Sequence, residues 1–424
     1  MDFLPSRTFA LELDACDELA SFRDAFVIRD PDMLYMDGNS LGRLPKAAVE
    51  RVRVVVEEEW GRDLIRSWNS AGWWQAPVRV GEKIARLVGA APGQVIVTDS
   101  VSVDLFKLSM AALGLRPGRQ RIVTDAFNFP SDLYILQGVA QLLGAEYEII
   151  RVGSRDGGLT PDLDQLAQAI SDETALVTLS HVLFKSSYLY DMKQVTDMAH
   201  RKGALVLWDL SHSAGAVPIE LDACSVDFAV GCTYKYLNGG PGAPAFLYAS
   251  QGLPEQTRSP IWGWWGQKEP FAFDLDYTPA AGVNRFLVGS QPMISMLTLE
   301  TALDPLLEAG LERVRRKSIL LTEYLTYLTD AILAPLGFTL GSPRDVERRG
   351  SHMSIRHPEG YRINRALIEE MNVIPDFRAP DNLRLGLSPL YTSFAEVWDT
   401  VDRIRQVMLE GRYEKYPQER LAVT

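Results

Sequence analysis

Short β-branched, apolar runs alternate with stretches of helical periodicity through the middle of the chain, the pattern of a parallel sheet with crossover helices. The strands expected are Gln94 to Thr98, Arg121 to Thr124, Tyr147 to Arg151, Leu176 to Leu179, Ala204 to Trp208, Phe228 to Gly231 and Ala245 to Tyr248. Stretches such as Asp132 to Leu143 and Pro161 to Ile170 read as helices between them. Together they predict a doubly wound α/β core. After about Asp274 the pattern changes: a long amphipathic stretch from Ser295 to Leu328 gives way to short strands alternating with helices, as in Ser351 to Ile355 and Asn364 to Met371. The expected organisation is a large, mainly parallel α/β domain over residues 46–290 and a smaller α+β domain over 291–424. Residues 1–45 are expected to pack with the smaller domain, since Asp37-Gly38-Asn39-Ser40-Leu41-Gly42 is a turn cluster and Pro45 suits the start of a helix.

Length and composition fit that division. At 424 residues the chain exceeds the size at which one hydrophobic core usually stops growing. With 46% hydrophobic and 23% charged residues it is expected to be ordered throughout. A formal net charge of -12, with no Lys/Arg-rich run to offset it, argues against nucleic acid as a partner. The first residues carry acids where a signal peptide needs bases, and no stretch reads as the roughly 20 apolar residues of a membrane span. The expected location is therefore the cytoplasm. Cys16, Cys224 and Cys232 lack CxxC spacing and fit reduced thiols, and the five histidines form no H-E-x-x-H, so no metal site is expected. Neither a G-x-x-x-x-G-K-[ST] nor a G-x-G-x-x-G motif is present, which removes the common nucleotide-binding loops.

The candidate chemistry sits at two strand ends. Val206-Leu-Trp-Asp209-Leu-Ser-His212 is an apolar strand ending at an acid and a polar loop, where an open α/β sheet places ligand groups. Taken alone, Asp209 could equally cap the next helix. A second apolar strand then ends in Gly231-Cys-Thr-Tyr234-Lys235-Tyr236, followed by a glycine-rich turn. A lysine between aromatics is poorly placed as a solvated cation, and burial favours the neutral amine that forms an imine. An acid that holds a pyridine nitrogen protonated, beside an imine-forming lysine, is what pyridoxal 5'-phosphate (PLP) chemistry requires. Lys235 as a structural lysine is the alternative when it is read alone. Ser100 to Ser102, between a strand and the helical run Leu105 to Leu113, suits a phosphate, or else is an ordinary capping serine.

Tyr35-Met-Asp-Gly-Asn-Ser-Leu-Gly42, Phe129-Pro-Ser-Asp132, Asp209-Leu-Ser-His212, Tyr234-Lys235, Gly263-Trp-Trp-Gly266 and Asn382-Leu-Arg384-Leu occur in that order. By these motifs the chain resembles the kynureninase family over nearly its whole length. The resemblance implies the PLP-dependent transferase fold (fold type I) and a cytoplasmic homodimer with its active site at the subunit interface. It also implies hydrolysis of L-kynurenine to anthranilate and L-alanine, with 3-hydroxy-L-kynurenine as a possible second substrate, in tryptophan breakdown or nicotinamide synthesis.

Carried over residue by residue, Lys235 would be the imine lysine, Asp209 the pyridinium partner and Tyr234 a proton donor. Phe129 would stack on the cofactor ring, with Asp132, Ser180 and His212 beside it. Val101, Ser102, Tyr234, Trp264 and Ser290 would hold the phosphate. Arg384 would clamp the substrate carboxylate bidentately, with Asn39 and Ser40 near it and Trp68 against the substrate ring. Gln267 and Gln291 stand where the family pattern leads one to expect histidine and proline, which bears on the ring pocket but not on the cofactor chemistry. The rival enzyme reading is a cysteine desulfurase or selenocysteine lyase, which needs a nucleophilic cysteine on a mobile loop. A non-catalytic binding module would have to lack the lysine, the aspartate or the arginine.

Overall fold

The buried strands form one seven-stranded sheet in the computed structural model, which describes residues 3–144 and 147–419. The ends of the regions 1–45 and 291–424 thus lie in part outside the described residues. In chain order the strands are β1 (Leu34–Tyr35), β2 (Val95–Thr98), β3 (Arg121–Asp125), β4 (Glu148–Val152), β5 (Thr174–Ser180), β6 (Leu205–Asp209), β7 (Phe228–Gly231) and β8 (Ala245–Ala249). The second half adds β9 (Thr339–Leu340), β10 (His352–Arg356), β11 (Val373–Ile374), β12 (Asp376–Arg378) and β13 (Asn382–Gly386). The large sheet has the order β2-β8-β7-β6-β5-β3-β4, and β8 alone runs antiparallel to its neighbours. Strands β5 to β8 are buried at every residue, as expected of strands covered on both faces, whereas edge strand β4 is mostly exposed or half-buried.

Two apolar cores divide the chain. The first surrounds the large sheet, and the second lies under the small antiparallel sheet β12-β13-β10-β9. Of the segment after residue 290, Met293 to Val314 and Leu390 and Tyr391 pack into the first core, and Leu321 to Phe338 belong to the second. The stretch from Ser295 to Leu328 is not one helix. It is three, Met293–Ala302, Asp304–Ala309 and Leu311–Leu328, because Pro305 lacks an N–H and Gly310 sits at φ 76°. By length and composition the helical run Leu311–Leu336 could cross a membrane. In this fold its Leu321, Leu325, Leu328 and Leu333 fill the second core instead.

The N-terminal segment joins both cores. Ala10 and Leu13 belong to the second, Leu19 and Phe26 to the first, and β1 pairs in parallel with β11. Its turn then docks where a side chain has no room. A Cβ on Gly42 would fall 2.3 Å from the Lys235 carbonyl, and the Gly42 N–H donates to the Tyr234 carbonyl at 2.8 Å. A Cβ on Gly386, at the end of β13, would fall 1.8 Å from Asn39 Oδ1.

Gly386→Ala is therefore expected to lose about 2 kcal/mol or more of stability in denaturant unfolding. Gly138→Ala, in open space on the helix Pro130–Leu143, should gain about 0.5 to 1 kcal/mol. Equal midpoints for the two variants would contradict the close packing of the N-terminal turn.

Candidate active site

Every strand of the large sheet except β8 ends at one edge, and a cavity of about 230 Å³ opens there. Asp209, His212, Tyr234 and Lys235 reach it from the ends of β6 and β7. Val101, Ser102, Phe129 and Asp132 come from two helix starts, Asn39 and Ser40 from the N-terminal turn, and Arg384 from β13. The loop bearing Lys235 is pinned by Asn238 N–H donating to the Lys235 carbonyl at 2.9 Å and Gly239 N–H to Thr233 at 2.8 Å.

Lys235 Nζ lies 2.9 Å from His212 Nε2 and 6.0 Å from the Phe129 ring centre. Burial, and next the Lys235 charge, hold the His212 imidazole well below its ordinary pKa. The ring is thus neutral, and if it accepts from Nζ at Nε2 it carries its proton on Nδ1. Asp209 Oδ1 is fixed by the Ser211 N–H at 2.9 Å and the Ser211 hydroxyl at 2.6 Å. Asp132 keeps its proton well above the usual carboxylate range, first because it is buried and then because Asp209 is close by.

The opposite wall is built for an anion. The helices Val101–Gly114 and Pro130–Leu143 both begin here, and neither has its first turn capped by a side chain. Their free N–H groups and the Ser102 and Ser131 hydroxyls, 2.9 Å apart, form an uncharged cradle that suits phosphate. With a lysine, a neighbouring acid and two unpartnered buried atoms, His212 Nδ1 and Asp132 Oδ2, the donor set fits PLP.

Other sequence expectations meet a different geometry. Ser180 ends β5 level with Asp209 and donates its N–H to Asn128 Oδ1 at 2.6 Å, but it does not line the cavity. Trp68 does not reach the cavity. It packs edge-on against Trp73, Trp74 and Trp265, with centroids 5.8, 6.4 and 5.4 Å away. Trp264 and Ser290 are exposed and do not line this chain's cavity, whereas neighbouring Trp265 is buried, its backbone N–H on the Val288 carbonyl at 3.2 Å.

Arg384 lines the cavity but is 1% exposed and already engaged. Its Nη2 donates to Ser40 Oγ at 2.9 Å and forms an ion pair with Asp376, and its Nη1 donates to the Phe184 carbonyl at 2.7 Å. Ser131, Ser211, Asp376 and Arg378 escaped the sequence reading. The two serines stand inside quoted motifs and were legible there. Asp376 needs the β12-β13 register, which sets it opposite Arg384.

The kynureninase C-terminal domain family matches residues 314–404, and the DegT/DnrJ/EryC1/StrS aminotransferase family matches residues 68–228. Kynureninases from Pseudomonas fluorescens and Burkholderia pseudomallei are each 44% identical over 409 residues, covering 96% of both chains. The chain belongs to the kynureninase family. Solved structures with this fold include cysteine desulfurases from Thermococcus onnurineus (TM-score 0.76, 19% identity, covering 91% of this chain and all of that one) and Escherichia coli (TM-score 0.78, 18% identity, 93% and 98%). A mutant of C-DES with glycine covalently linked to its PLP cofactor matches at TM-score 0.74 and 18% identity, covering 91% and 97%. At such identities they show the shared fold type I architecture alone.

The thiols of this kynureninase-family chain are placed unlike a desulfurase nucleophile. Cys232 is buried with its Sγ 3.7 Å from the Ser211 carbonyl, burial raises its pKa, and no cysteine lines the cavity among the described residues. Beneath the Phe129 loop, Asp125 accepts from Phe127 N–H at 2.7 Å and Tyr190 OH at 2.6 Å, and burial pushes its pKa up to about 6. Between pH of about 4 and 6 the folded chain therefore holds a proton that the unfolded chain has released. Stability falls as pH rises through that window. Asp125→Asn should flatten this part of the stability profile, a difference of up to about 3 kcal/mol between pH 4 and 7 in denaturant melts. Parallel profiles for the two proteins would refute it.

Proposed function

We propose that the chain is a PLP-dependent kynureninase that hydrolyses L-kynurenine to anthranilate and L-alanine by cleaving Cβ–Cγ. The observation that carries the chemistry is the meeting of Lys235, Asp209 and the two uncapped helix starts in one cavity. Sequence identity over nearly the whole chain carries the choice of substrate.

In this reading Lys235 would hold the cofactor covalently and Asp209 would pair with its ring nitrogen, with Phe129, Asp132 and His212 as the residues around the ring. Val101, Ser102, Ser131 and Tyr234 hold the phosphate. Bound PLP supplies the electron sink that stabilises negative charge at the substrate carbons. Lys235, displaced by the substrate's amine, takes the Cα proton on Nζ, and neutral His212 beside it accepts without adding charge. Tyr234, whose pKa is raised by Cys232 and by burial, keeps its hydroxyl proton at neutral pH and donates it as the alanine product forms. One water adds to the γ-carbonyl, and its oxygen leaves in the carboxylate of anthranilate. Asn39, Ser40 and Arg384 form the carboxylate end of the cavity.

The chain acts as a cytoplasmic homodimer in tryptophan breakdown. Ile65, Phe271, Phe273 and Leu275 are 66% exposed or more, an apolar surface that suits a second copy. Trp264 and Ser290, outside their own cavity, would then join the phosphate site of the partner subunit.

Lys235→Ala should lower anthranilate release, followed by fluorescence, on the order of 10³-fold or more, and normal turnover would exclude this scheme. Mixing Lys235→Ala with Trp264→Ala protein should give more activity than the sum of the two, because a mixed dimer contains one intact site. Strict additivity after subunit exchange would place Trp264 outside the partner's site.

A further inference from the structure

A second cavity, of about 370 Å³, shares no residue with the one at the sheet edge. Arg258, Ser259, Trp262, Tyr277 and Arg285 are among the residues that line it, and no acid is. Its aromatic wall is fixed in advance. The Trp262 and Tyr277 rings stack with centres 5.0 Å apart and planes 13° from parallel. The Trp262 indole N–H donates to the Ser259 carbonyl at 2.7 Å, and the Tyr277 hydroxyl donates to the Gly266 carbonyl at 2.9 Å. Trp262 is nevertheless 60% exposed, which leaves a rigid apolar surface for a ligand ring.

The hydrogen-bonding groups at the site are used unequally. The Thr257 and Ser259 hydroxyls donate to the Pro254 and Ile261 carbonyls at 2.8 and 3.0 Å, so the guanidinium groups are the donors left over. Arg285 is 6% exposed. Its Nη1 donates to the Pro254 carbonyl and, at 3.4 Å, to that of Thr257, whereas its Nε has no partner. The acid paired with it, Glu255, stands 3.9 Å away with its side chain 53% exposed. A buried cation so weakly compensated favours an incoming anion. Arg258 is exposed and makes no hydrogen bond or ion pair among the described residues. Two guanidinium groups beside a held pair of aromatic rings match a ligand that is flat and negatively charged.

We propose that this cavity is a second ligand site, for a small aromatic carboxylate whose ring lies against Trp262 and Tyr277 and whose charge meets Arg258 and Arg285. Anthranilate, the product of the reaction proposed above, is of that class. The site itself rests on its own geometry, whatever reaction the first cavity performs.

The test is equilibrium dialysis of PLP-loaded protein with benzoate as the probe. Saturating L-alanine is present to fill the first cavity, and the cofactor absorbance reports its occupancy. One benzoate should still bind per chain. Trp262→Ala and Arg258→Gln, both at exposed positions, should each weaken that binding about tenfold or more, whereas Trp262→Phe should retain most of it. Benzamide, flat but uncharged, should bind at least about tenfold more weakly than benzoate. Full displacement of benzoate by L-alanine, equal binding of benzamide, undiminished binding by either variant, or no bound benzoate at millimolar concentration would overturn the proposal. If the protein cleaves no kynurenine, the proposed reaction fails, while the dialysis still decides whether the second site exists.

Discussion

Arg384, Asp376, Asp132 and His212, in or behind the wall of one cavity, are all 5% exposed or less, where an uncompensated charge costs several kcal/mol. Each is tolerated only because a neighbour adjusts. Asp132 keeps its proton beside Asp209, His212 stays neutral beside Lys235, and Asp376 lies between two guanidinium groups. The rest of the architecture serves that arrangement. Parallel strands bring the side chains to one edge, uncapped helix starts supply anion binding without further charge, and the N-terminal turn closes the remaining side.

This balance separates what the fold provides from what the family does. The desulfurase structures share the chain's course at 18–19% identity, so the large sheet by itself does not select a reaction. The selective features are the side chains at its edge. Here a pair of arginines meets the N-terminal turn, and the cysteines are buried or lie away from the cavity.

Much of this was legible in the sequence, for physical reasons. Strands β5 to β8 are buried on both faces and so show as apolar runs, and Asp209 and Lys235 betray themselves as polar residues ending such runs. Glycine and proline signals fixed the turn at Gly42 and the helix start after Pro45. The break of the long amphipathic stretch at Pro305 and Gly310 was also written there, yet the continuous apolar periodicity masked it. What stayed hidden depends on register or on three-dimensional course. Asp376 meets Arg384 only through the β12-β13 pairing, and Trp68 joins an indole cluster built with residues nearly two hundred positions away.

The pairing of β1 with β11 has a consequence for how the protein is made. Leu34 and Tyr35 find their backbone partners at Val373 and Ile374, so this pairing forms only once residues far later in the sequence have left the ribosome. The same segment seats Gly42 against the Lys235 loop. A nascent chain that has not reached β13 already carries Lys235 but lacks Arg384, which β13 supplies to the cavity wall. The cavity wall is therefore complete only after β13 has been made.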